Sequence, residues 1–269
     1  AGQGGRSPVG VSGGAERHSV EADPVALLGD ELPTLTRPKF LAIVSLDQLA
    51  SYLHRDPQIR PDGFIVERPP AGGHSAPPRG KMQLDENGSP IYGARDEADL
   101  SKMAAIGLPF WMAGAYGTSE RVAAAVAAGA EGVQVGTVFA MSSDSGLPDE
   151  ARALMLERLR NDELVVRNDP RASPTGFPFK VVYDARPRLC DLSYLRQAYQ
   201  REDGTVGYRC AAEPVHMWEK KGGTLEDTVG RKCLCNGLVA TIGMAQHRKD
   251  GYVEDRIMTL GEDLEGPRE

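Results

Sequence analysis

Four short apolar runs alternate with stretches whose apolar residues recur at helical spacing, and this rhythm leaves few folds open. Phe40-Leu41-Ala42-Ile43-Val44 is continuous and apolar, as in a strand covered on both faces. Leu46, Leu49, Ala50 and Leu53 then fall on one helical stripe, with Ser45 placed to cap it and Asp56-Pro57 to stop it. Phe64-Ile65-Val66 predicts a second strand, followed by a Gly/Pro-rich link over 68–95. A helix carrying Leu100, Met103 and Ala104 ends at Gly107. Phe110-Trp111-Met112-Ala113 predicts the third strand. Ser119 opens a helix with Val122, Ala123, Val126 and Ala127 inward, and Gly129 closes it. A fourth strand is expected over 132–140, and Pro148, Asp149 and Glu150 open a helix to about Arg160, where acidic residues suit the helix dipole. Successive β-α units of this kind require a parallel sheet with right-handed crossovers.

The rhythm divides the chain into a loop-rich segment over 1–30, a (β/α) portion over 31–160 and an extension over 161–269. In the first, Pro8-Val9-Gly10-Val11 is at best a stub of strand. The extension is expected to be helical and irregular, with short helical stretches at 192–200 and 239–246.

Composition excludes several classes of function. A net charge of -7 and a pI near 5.4 argue against a nucleic-acid surface and against an anionic membrane face. No apolar run approaches the roughly 20 residues that span a bilayer. Four cysteines in 269 residues are too few for a disulfide scaffold, so a reducing, cytoplasmic setting is expected. Cys190, Cys210, Cys233 and Cys235 lack the double C-x₂-C spacing of a zinc site, and buried free cysteines are common, so no metal is expected.

Three glycine-bearing segments carry the chemical signal, each just after an apolar run: Ala71-Gly72-Gly73-His74, Ala113-Gly114-Ala115-Tyr116-Gly117 and Gln134-Val135-Gly136-Thr137. A strand followed by glycines and a helix offers backbone N–H groups to an anion, and glycine lets the ligand approach closely. One such turn is more simply a tight turn. Two in successive units favour a phosphate site at the C-terminal end of a parallel sheet, where ligands of β/α folds bind. His74 sits in a loop at that same end, and an imidazole that titrates near neutrality can take a proton from a weakly acidic C–H. A loop histidine bonded to backbone explains it equally well. His18, His54, His216 and His247 have no supporting context.

With these segments in order, the chain resembles the nitronate monooxygenase family from about Leu32 to its end. The resemblance rests on Pro38-Lys39-Phe40-Leu41-Ala42-Ile43-Val44-Ser45, Ala71-Gly72-Gly73-His74, Pro77-Pro78-Arg79-Gly80, Leu108-Pro109-Phe110-Trp111, Gly132-Val133-Gln134-Val135-Gly136-Thr137 and Pro174-Thr175-Gly176-Phe177-Pro178-Phe179-Lys180. It implies a TIM-barrel-type fold that holds FMN and oxidises alkyl nitronates with O₂. It implies His74 as the base or nitronate-orienting group. Gly72, Gly73, Ala113, Gly114, Ala115, Tyr116, Gly117, Gln134, Gly136 and Thr137 would form the cofactor wall, with the phosphate on the second and third segments. Ala115 stands where the family often has a second glycine, which is tolerable only at negative φ. Flavin enoyl reductases that use NAD(P)H are similar over the same segments, and a non-catalytic remnant that binds a partner chain is a third reading. A closed barrel needs eight β-α units and this chain shows about four. The fold is therefore expected to be an incomplete barrel, its C-terminal half, that self-associates or takes the missing half from another chain. As an isolated monomer it is expected not to hold FMN tightly.

Overall fold

A computed structural model describes residues 7–12, 17–29, 36–170, 177–183, 196–229, 233–247, 249 and 251–268. The chain begins with an antiparallel pair, β1 (Ser7–Ser12) and β2 (Arg17–Ala22), and a short helix α1 (Pro24–Leu28). These residues hold more regular structure than the loop-rich reading of 1–30 expected. The paired backbones supply their own ladder partners, which the sparse apolar pattern did not signal.

The expected rhythm then appears: β3 (Leu41–Val44), α2 (Asp47–Arg55), β4 (Gly63–Glu67), α3 (Leu100–Ala105), β5 (Phe110–Ala113), α4 (Ser119–Ala127), β6 (Gly132–Gln134), α5 (Thr137–Met141) and α6 (Asp149–Arg160). The four strands form one parallel sheet in the order β3-β4-β5-β6. This is a β/α sheet of barrel type, and it does not close among the described residues. One face is filled by Ala42, Val44, Phe64, Val66, Phe110 and Met112, which pack with Ala50 of α2, Met103 of α3 and Ala125 of α4. On the other face Leu41 and Ile43 of the edge strand are exposed, Ile43 by 58%.

Several details depart from the sequence reading. The fourth strand ends at Gln134, and Thr137 to Met141 are helical, because Gly136 turns the chain. An apolar run such as Val-Phe-Ala-Met satisfies either period, and here Met141 is buried while Phe139 is exposed. Helix α4 turns Ala125 inward and leaves Val126 exposed. Ser45 does not cap α2, whose N-cap is Leu46. The buried carboxylate of Asp47 instead accepts from the N–H of Asp99, the capping residue of α3.

The extension is richer in strands than expected. β7 (Val165–Asp169) pairs antiparallel with β8 (Phe179–Tyr183), and β9 (Arg196–Gln200) with β10 (Val206–Cys210). Residues 196–200 are thus strand where a helix was expected, and 192–195 lie outside the described residues. Pairing across the hairpin decides a segment whose composition is helix-tolerant. Helices α7 (Val215–Lys220), α8 (Leu225–Thr228) and α9 (Leu234–Thr241) follow. The helix expected at 239–246 starts earlier and stops before Gly243, which has φ +82°. Residues 257–265 form neither helix nor strand and lead into a short 3-10 helix, Gly266–Arg268; 257–268 together form a strap. No described helix is long and apolar enough to cross a membrane.

Candidate functional site

The register of the parallel sheet places the site. Glu67 of β4 pairs with Ala113 of β5, and Ala113 pairs with Gln134 of β6. These three residues form one cross-strand row at the C-terminal end, with side chains on one face. All three line a cavity of about 410 Å³, a volume within the roughly 300–1,000 Å³ range of small-molecule sites.

All three glycine-bearing segments reach this cavity. Gly72, Gly73, Ala113, Gly114, Ala115, Tyr116, Gly117, Gln134, Gly136 and Thr137 line it. His74 does not. Its ring packs edge-on against Phe179, with centroids 4.6 Å apart. Burial lowers its pKa below the usual 6.5, which favours the neutral imidazole.

The backbone N–H groups of Ala115, Tyr116, Gly117, Gly136 and Thr137 donate no hydrogen bond within the described residues. Polar groups on a cavity wall seek partners, so two adjoining turns present a donor set without a protein acceptor. Helix α4 begins just after the first turn, which adds a positive partial charge.

Backbone geometry separates the turn residues by role. Gly114 has φ +94°, and a Cβ there would lie 3.0 Å from Ala71 N and Arg68 O. The β4 loop rests directly on this turn, which requires glycine. Ala115 adopts φ +65°, so the negative φ expected for an alanine is not found. A non-glycine residue in the left-handed region is strained by about 1–2 kcal/mol.

The remaining walls come from the strap, which sequence reasoning did not single out. Thr259, Leu260, Gly261, Asp263 and Pro267 line the cavity. The strap is tied to each glycine segment in turn. Gly73 N–H donates to Thr259 Oγ1 at 3.1 Å, and Glu262 N–H donates to Pro70 O at 3.1 Å. Gly261 N–H donates to Thr137 Oγ1 at 2.8 Å. Arg121 of α4 pairs with Asp263 and Glu265 and donates to Ala115 O at 3.3 Å. The Arg121 guanidinium thereby offsets the one strap carboxylate on the cavity wall. No periodic signal in 257–268 could have revealed these contacts.

Two more charged residues went unread. Glu67 is half-buried on the wall, and burial pushes its carboxyl above the usual range, with Lys180 opposing. Lys180 is fully buried beside the Gly-Gly-His loop. A lone cation within Phe179-Lys180-Val181-Val182 was the signal available for it. Among the described residues, no group of three metal-ligating side chains converges, and Cys210, Cys233 and Cys235 are free thiols. Cys190 lies outside the described residues.

Comparison with known proteins places this chain in a family. No curated protein matches the chain. Among solved structures, FabK from Thermotoga maritima is 23% identical with a TM-score of 0.38, covering 59% of this chain and 41% of that one. Nitroalkane oxidase from Streptomyces ansochromogenes is 21% identical with a TM-score of 0.38, covering 53% and 38%. The chain thus spans about two fifths of the length of the solved chains it aligns with. The sequence model of the nitronate monooxygenase family matches residues 35–173. That match takes in the whole parallel sheet and all three glycine segments, more than half of the 269 residues, and the chain belongs to the nitronate monooxygenase family.

Proposed function

We propose that the cavity is an FMN site and that the enzyme oxidises alkyl nitronates with O₂. One observation carries the reading: two adjoining strand-end turns on the wall of a single cavity carry five backbone N–H groups without an acceptor among the described residues. In a chain of this family, that donor set fits a phosphate monoester. Ala115 to Gly117 and Gly136-Thr137 would hold the phosphate. Glu67, Gly72, Gly73 and Thr259 would border the rest of the cofactor. Bound there, FMN supplies an electron sink for the nitronate's reducing equivalents and a route for them to O₂.

The protein's own contribution is to bind, orient and deprotonate. His74 follows Gly73 of the lining, outside the cavity wall itself. Burial lowers its pKa and favours the neutral imidazole, the form able to accept a proton from the Cα of a neutral nitroalkane that reaches past Gly73 to the ring.

The test is oxygen uptake with a preformed nitronate in the absence of NAD(P)H. Uptake that requires NAD(P)H and an enoyl thioester would move the chain to the enoyl-reductase reading. A chain that binds no flavin would support the non-catalytic, partner-binding reading. His74→Asn is expected to slow flavin reduction by a neutral nitroalkane by about 10²–10⁴-fold and to affect a preformed nitronate far less. Equal loss on both substrates would assign His74 to orientation alone.

A further inference from the structure

Strand β8 and Pro178 just before it hold the Gly-Gly-His loop by two kinds of contact. Their backbone makes the first: Lys180 N–H donates to Gly73 O at 2.9 Å, and Ser75 N–H donates to Pro178 O at 2.8 Å. The Lys180 side chain makes the second. Its Nζ donates to Pro69 O at 2.5 Å and to Ser75 Oγ at 2.7 Å, and lies 3.7 Å from Glu262 Oε1 of the strap.

The placement of this ammonium is informative. The side chain is 0% exposed, and burying a charge is costly even when it is paired. Its neighbours along β8, Phe179 and Val181, face the other way, into an apolar cluster with Leu234 and Ile257, so Lys180 adds nothing to that cluster. A buried apolar residue at 180 would avoid the cost of desolvating a charge. The donors of Lys180 instead reach both ends of the turn that carries Gly72, Gly73 and His74. Its counter-charges are Glu262 of the strap and Glu67 of the cavity wall.

We propose that Lys180 is the positioning residue of the cavity: by fixing Pro69 and Ser75 it sets how Gly72, Gly73 and His74 are presented to a bound ligand. The proposal deepens the FMN reading by assigning a residue to the same site. Its structural arm stands independently of flavin.

The experiment compares wild type, Lys180→Met and a control, Trp218→Phe. Trp218 is buried in α7, away from the cavity wall, where its indole N–H donates to Thr224 O at 2.9 Å. Isotope-labelled histidine and glycine are read by NMR, with His74→Asn and Gly73→Ala assigning the signals. In Lys180→Met the His74 ring signals are expected to lose the ring-current displacement from Phe179, and the Gly72 and Gly73 amides to move. Trp218→Phe is expected to lower the melting temperature and leave those signals in place. FMN affinity is expected to fall about tenfold or more in Lys180→Met and less than threefold in the control. Unchanged His74 and glycine signals in Lys180→Met, or equal movement in Trp218→Phe, overturn the proposal. If wild type binds no FMN, the functional reading fails and the NMR comparison still decides the role of Lys180. If Lys180→Met does not fold, Ser75→Ala, which removes one acceptor and keeps the ammonium, replaces it. Movement of the Gly72 and Gly73 amides then supports the proposal, and their constancy overturns it.

Discussion

The parallel sheet and the C-terminal region contribute different things to one cavity. The sheet supplies the ligand-facing turns. Each follows from local order: a buried strand, a glycine that frees the backbone, and a helix that starts at once. The C-terminal region supplies part of the wall. It supplies restraint, through the strap at Thr259, Gly261 and Asp263 and through Lys180 of β8. A site in which one region binds and another holds the binder still should respond differently to damage in each.

The largest expected effect comes from the sheet core. Phe64 is 0% exposed between β3 and β5. Phe64→Ala should cost about 3–5 kcal/mol, measured by chemical denaturation, and flavin binding should be lost together with the fold. Binding that survives at full strength would mean that the sheet does not set the turns.

Damage on the restraining side should separate binding from stability. A Cβ on Gly72 would lie 2.9 Å from Leu260 C and Gly261 N, backbone atoms that cannot turn aside. Gly72→Ala should displace the strap at a cost of about 1–3 kcal/mol. FMN affinity should then fall about tenfold while the unfolding transition stays cooperative. Unchanged affinity, measured by flavin fluorescence, would show that the strap is not part of the site.

The smallest effect has the opposite sign. Ala115 sits at φ +65°, and glycine there relieves about 1–2 kcal/mol of left-handed strain at a backbone entropy cost of about 0.5–1 kcal/mol. Ala115→Gly should therefore stabilise the protein by about 0.5 kcal/mol, visible as a small rise in melting temperature. A fall would place the turn in another conformation.

The same division explains what the sequence reveals. Strands β3, β4 and β5 and helix α6 follow from apolar runs and end signals that act within a few residues. The three glycine segments could be placed on strand ends for the same reason, and their convergence follows from parallel order. The Thr137–Met141 helix was hidden because an unbroken apolar run carries no period. Residues 196–200 were hidden because a strand of Arg, Gln, Ala and Tyr is defined by its partner across the hairpin. The strap was hidden because its contacts join residues more than 100 positions apart, such as Gly261 to Thr137 and Thr259 to Gly73. The exclusion of His74 from the cavity wall depends on its packing against Phe179, a contact of the same non-local kind.

The central claim is that the two turns bind a phosphate monoester. It is tested by titrating the chain, residues 1–269, with FMN and with riboflavin at low ionic strength and following flavin fluorescence. Charge-assisted hydrogen bonds to the free N–H groups contribute about 1.5–3 kcal/mol each at best, so FMN should bind at least about tenfold tighter than riboflavin, and inorganic phosphate should compete with it. Equal affinity for the two flavins, with no effect of phosphate, would contradict the account.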